Sequence, residues 1–179
     1  MREHMTHLMV FGLAVVILLG VLKFFNWLPG ALQEGALRRY ASIEEVRSIQ
    51  KDRKIHVPAY FPQSFKWPPS TILAQNRPFS AVVMEFDRLS SGEVGLIILQ
   101  AESEDFLGQH KIRVLDIQSR SSCTLKGRDA MVESGLCGRD EVCSKITFKE
   151  DGSWIGILME APEYEAIILA ESMVREDGE

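Results

Sequence analysis

The sequence predicts an α+β fold: a single N-terminal transmembrane helix, then an antiparallel sheet of about seven strands with a short helix before it and a helix at the C-terminus. Three observations lead there. Residues 8–28 of the 179-residue chain hold 21 positions with one charge, Lys23. From residue 70 onward, short stretches rich in Val, Ile, Leu and Phe are separated by polar turns. Helix-start signals stand on either side of that strand-like region, at Ser42 and at Pro162.

The first element opens on Leu8 and closes on Leu28, ahead of Pro29-Gly30. As a helix it would be about 31 Å long at ~1.5 Å per residue, the thickness of a bilayer core. Lys23 can snorkel to the far surface, and Trp27 suits the headgroup layer. A cleaved signal peptide is the competing reading, but the bulky Phe24-Phe25-Asn26-Trp27 leaves no small-x-small cleavage site. Residues 1–30 are therefore expected to be a retained anchor, 31–54 a basic juxtamembrane linker with a short helix, and 55–179 an extracytoplasmic sheet domain with a closing helix.

Ser42-Ile43-Glu44-Glu45 fits a capping box, so a short helix is expected from Ile43 to about Asp52. Prolines 58, 62, 68 and 69 then hold the chain extended. Strands are expected over residues 70–75, 81–87, 94–102, 112–120, 129–137, 142–148 and 154–159. Ser90-Ser91-Gly92-Glu93 joins the second and third as a hairpin, and Glu150-Asp151-Gly152-Ser153 joins the last two. In the closing helix Pro162 suits the first turn, Glu163 and Glu165 face the positive dipole end, and Ile167, Ile168 and Leu169 supply an apolar side.

This order of elements resembles an uncharacterised family of bacterial extracytoplasmic domains, found behind a single membrane helix and sometimes behind anti-sigma segments. The matching pieces are Ser42-Ile43-Glu44-Glu45-Val46, then Ile55-His56-Val57-Pro58-Ala59-Tyr60-Phe61-Pro62. At the other end, the run from Trp154 leads into a helix ending Leu169-Ala170-Glu171-Ser172-Met173. The likeness covers about residues 40–174. It implies a curved antiparallel sheet outside the cytoplasm and brings no catalytic residue set. The three cysteines depart from the family's pattern.

Cys137 and Cys143 bracket a glycine-led polar loop between two strand-like runs, and a hairpin there would bring their α-carbons near the ~5.5 Å that a disulfide prefers. The alternative is a pair of reduced thiols. Cys123 is the odd one, read as a small buried hydrophobe. The charges flanking the apolar run, Arg2 before it and Lys23, Arg38 and Arg39 after it, favour a cytoplasmic C-terminal domain. The disulfide pattern and the resemblance favour the opposite side. The expected placement is a single-pass protein of the bacterial inner membrane, with a cytoplasmic amino terminus and a periplasmic domain.

Function classes are narrowed mainly by exclusion. A net charge of −5 speaks against a general nucleic-acid binder, which needs a basic surface. Zinc spacing is missing: thirteen and then five residues separate the cysteines. His4 and His7 are read as interfacial polar residues, and His56 and His110 as solvated loop residues. No nucleophile elbow or phosphate-binding glycine loop is present. No cofactor, metal or small-molecule substrate is expected, and no catalytic residue is assigned.

Charge is unevenly placed. Residues 1–80 carry 10 basic and 5 acidic side chains, and residues 81–179 carry 10 basic and 20 acidic. Arg38, Arg39, Arg47, Lys51, Arg53 and Lys54 are candidate contacts with an anionic lipid surface. Phe65, Trp67, Phe106 and Leu107 are candidate partner contacts, with plugging of the sheet ends as the alternative. The leading expectation is a non-enzymatic accessory subunit of a membrane complex, or a sensor-like binding domain. A lipid or lipoprotein carrier would use a concave apolar face built from residues 94–99, Met84 and Phe86. A thiol-based redox enzyme would use Cys123 or His110.

Overall fold

The computed structural model describes Lys23 and residues 37–51, 53–108, 116–137 and 141–174. The chain divides into two units, 1–36 and 37–179, and every strand of the sheet belongs to the second. The expected membrane helix, apart from Lys23, lies outside the described residues, as do His4, His7, His110, Asp52, residues 112–115 and the loop tip 138–140. Among the described residues no helix is long and apolar enough to cross a membrane.

Eight strands form one antiparallel sheet: β1 (Arg38–Tyr40), β2 (Thr71–Gln75), β3 (Ala81–Asp87), β4 (Val94–Ala101), β5 (Asp116–Leu125), β6 (Arg128–Cys137), β7 (Glu141–Glu150) and β8 (Ser153–Met159). Their order is β1-β2-β3-β4-β8-β7-β6-β5, so the sheet is two meanders joined where β8 returns beside β4. Two helices accompany it, α1 (Ile43–Ile49) and α2 (Glu163–Glu171), with a 3-10 turn over Glu104–Gly108. The α+β class is as expected, but the sheet has one strand more than the sequence indicates. That strand is β1, three residues of Arg-Arg-Tyr pairing with β2 at the sheet's edge. Its brevity leaves no alternation to read.

Local chemistry accounts for the other elements. Ser42 caps α1, its Oγ accepting from the Glu45 N–H at 3.2 Å, while Glu45 accepts from the Ala41 N–H at 2.9 Å. This is the expected capping box, with the return bond one residue further out. Helix α1 ends at Ile49, because Gln50 leaves helical geometry (φ −98°, ψ 57°). The hairpins β5–β6 and β7–β8 turn on Lys126-Gly127 and Asp151-Gly152, all four at positive φ, as a two-residue hairpin requires. The β3–β4 hairpin turns through Gly92 at φ 71°.

The two faces of the sheet are covered differently. On the inner face Met84, Phe86, Leu96, Ile98, Ile146, Phe148, Ile155 and Ile157 are fully buried with Ile43 and Val46 of α1 and Ala166, Leu169 and Ala170 of α2. On the outer face Val83, Ile97, Leu99 and Leu158 form a smaller cluster with Phe106 and Leu107 of the 3-10 turn. Strand β4 is thus buried on both sides, which explains its unbroken apolar run, whereas β6 and β7 alternate. Met84, Phe86, Leu96 and Ile98 belong to the inner cluster, and Ile97 and Leu99 to the outer one.

Candidate functional site

Of the four candidate partner contacts, three belong to the domain's own interior. Phe65, Phe106 and Leu107 are buried. Phe106 meets Phe79 edge-on at 5.6 Å, and Leu107 lies over Gly156, whose missing Cβ would sit 3.1 Å from Leu107 Cδ2. These residues plug the sheet because β3, β4 and β8 are apolar on both faces. Only Trp67 keeps a large free surface, 50% exposed, while its ring packs 5.3 Å from Phe61 and 5.9 Å from Phe86.

Cys137 and Cys143 form a disulfide with α-carbons 5.7 Å apart. In the β6–β7 register Gly135 stands opposite Cys143 and Cys137 opposite Glu141, so the bond runs diagonally across the end of that hairpin. Cys123 is half-buried on the inner face, paired across to Ala130. Burial pushes its thiol up, and the carboxylates of Glu163 and Glu171 on α2 push it further. A thiol held protonated in an acidic setting is a poor nucleophile.

The six candidate lipid-contact cations separate. Arg38 and Arg39 lie on edge strand β1, where Arg39 donates to the Ser70 carbonyl and to Thr71 Oγ1, each at 3.3 Å. Arg47, Lys51, Arg53 and Lys54 instead line an open cleft of about 590 Å³, between the end of α1, the segment 53–57 and residues 172–174 after α2. Arg53 is held by Glu102 and donates to Ser153 Oγ at 3.1 Å. Lys54 meets Asp151 Oδ2 at 3.1 Å.

His56 anchors this cleft, and it is buried rather than solvated. Its N–H donates to Gln100 Oε1 at 2.9 Å, and Gln100 Nε2 donates to the His56 carbonyl. A buried glutamine at the end of β4 therefore takes the place of a neighbouring strand and fixes where the proline-rich segment crosses the sheet. Gln50 does the same for the end of α1, donating to the Gln75 carbonyl at 2.8 Å. The side chain of His56 is 7% exposed, and its Nε2 stands 3.8 Å from Asp151 Oδ2. Among the described residues that Nε2 is the buried side-chain atom without a hydrogen-bond partner.

Sequence reasoning misread His56 as solvated and missed Gln100 and the contribution of residues 172–174. Gln100 did leave a signal, a lone amide in an otherwise apolar run. Such a residue is buried only when its donors and acceptors are met.

A second cleft, of about 600 Å³, opens on the outer face between the 3-10 turn and β6–β8. Leu107, Met131 and Trp154 give it an apolar floor, and Glu133 and Lys145 a polar wall. Burial pushes Glu133 up, but the Arg120 hydrogen bond and the Lys145 charge outweigh it and hold the carboxyl below its ordinary value. Elsewhere Arg88 binds Glu141 through two bonds of 3.2 and 2.8 Å and also pairs with Glu160. Burial raises Glu160 by more than Arg88 lowers it.

No group of three or more His, Cys, Asp and Glu among the described residues is placed to hold a metal ion. No family model, no curated protein and no solved structure matches the chain.

Proposed function

We propose that the protein is a membrane-tethered, non-enzymatic binding domain that serves as an accessory subunit of a membrane complex. In this reading a single helix over residues 8–28 holds it in a bacterial inner membrane, with the amino terminus in the cytoplasm. The observation that carries the reading is the junction in the chain. A 21-residue segment with one charge is followed, ten positions after Leu28, by the first strand of a sheet that builds its own core. The Cys137–Cys143 bond supports an oxidising, extracytoplasmic side, since reducing compartments keep such pairs open.

Two measurements test the proposal. Alkaline extraction of source membranes should leave the chain in the pellet, and externally added protease should reach the sheet domain in spheroplasts. Release into the supernatant would remove the tether, and protection from protease would reverse the orientation. Gentle detergent extraction should then show the chain co-migrating with larger subunits. Migration as a free monomer would count against the accessory role.

A further inference from the structure

Among the described residues the cleft beside α1 collects cations without acids. Its described lining includes Arg47, Lys51, Arg53 and Lys54 and no carboxylate. The two carboxylates nearby, Glu102 and Asp151, are engaged by Arg53 and Lys54. Arg47 has only Glu44, one turn back on its own helix, and Lys51 has no ion-pair partner among the described residues. Positive charge brought together in this way repels itself unless an anion joins it.

We infer that this cleft is a binding site for a phosphate-bearing anion. Arg47 and Lys51 supply the unspent charge at the mouth, and Arg53 and Lys54 line the adjoining wall. Ile55 and Met173 form an apolar floor beneath them. His56 also lines the cleft, while its buried Nε2 stands 3.8 Å from Asp151 Oδ2. A charged mouth above an apolar floor suits a phosphate carried on a small organic group. The source is either an anionic lipid headgroup or a free phosphate compound. The inference uses residues of the sheet domain alone and stands whether or not residues 8–28 span a membrane.

The test uses the full chain in a nonionic detergent, titrated by calorimetry with short-chain phosphatidylglycerol, short-chain phosphatidylcholine and inorganic phosphate. Phosphatidylglycerol should bind more tightly than phosphatidylcholine, and added salt should weaken it. Arg47→Gln with Lys51→Gln should weaken binding by about thirtyfold, at roughly 1 kcal/mol per cation. Both side chains are exposed, so the unfolding midpoint without ligand should not move. Arg38→Gln with Arg39→Gln, on β1, should leave the affinity unchanged.

Competition by inorganic phosphate would assign recognition to the phosphate alone. Lack of competition would assign it to the headgroup together with the floor. Equal binding of the two lipids, wild-type affinity in the cleft variant, or an equal loss in the β1 variant would overturn the inference. None of these results depends on the fractionation of the membrane, so the two readings fail separately.

Discussion

Inner and outer faces of the same eight strands are held by unequal means. Across the inner face a continuous apolar layer reaches from β2 to β6 and is roofed by two helices. The outer face is apolar mainly over β3, β4 and β8, where the 3-10 turn covers it with help from Phe79 and Leu37. Over β6 and β7 it carries Met131, Glu133, Lys145 and Thr147 instead. The difference teaches that a strand's composition reports how many of its faces are covered. Strand β4 reads Gly-Leu-Ile-Ile-Leu without a break, whereas β7 alternates Lys145, Ile146, Thr147, Phe148 and Lys149.

The sharpest way to break the comparison is to empty each face in turn. Phe148→Ala, on the inner face, should cost about 3–5 kcal/mol in denaturant unfolding. Leu107→Ala should cost about 2 kcal/mol, at the low end for a buried leucine, since a single turn beside an open cleft can settle into the space. Equal losses would mean that the two covers are equivalent.

Next in size is the diagonal disulfide. Cys137→Ser with Cys143→Ser should lower stability by about 2 kcal/mol, because the bond closes only a short loop. A loss near zero would place the hairpin end under the control of β6–β7 pairing alone.

Glu133→Gln probes the polar half of the outer face, and about 1–2 kcal/mol should be lost at neutral pH. The sign follows from linkage. A carboxyl lowered on folding adds stability above its unfolded value of about 4.3, and that stability disappears as pH falls through the folded value. The gap between wild type and variant should therefore close in acid. Glu160 runs the other way, because its raised folded value means that stability is lost as pH rises through it. Glu160→Gln should accordingly cost less at neutral pH than Glu133→Gln, and the reverse ranking would contradict both assignments.

Smallest is Gly156→Ala, which would bring a methyl group within 3.1 Å of Leu107 Cδ2. Leu107 must give by a few tenths of an ångström, so a loss of about 1 kcal/mol is expected. A stabilised variant would show that the 3-10 turn is loosely seated.

Much of the fold was legible because it rests on short-range rules. The Ser42 cap, the Asp151-Gly152 turn and the hairpin that joins Cys137 to Cys143 each depend on residues within about a turn of one another. The 3-10 turn shows where legibility ends. Phe106 and Leu107 have the composition of an exposed patch, and only the double-sided burial of β4 turns them into a cover. The cations of residues 38–54 were visible as a cluster, but their division was not. Arg39 goes to the edge beside Thr71, while Arg53 reaches Ser153, a hundred residues away.

Local physics in the chain was enough for seven of the eight strands, most of their turns, the Ser42 cap and the pairing of Cys137 with Cys143, since alternation, positive φ and short loops act over a few residues. Contacts across the chain were needed for the rest: which faces are roofed, that His56 is buried beneath Gln100, and that residues 172–174 close one side of the cationic cleft. Each of those depends on residues tens of positions apart competing for the same apolar surface and the same unmet hydrogen bonds. That competition is resolved only when the sheet is assembled.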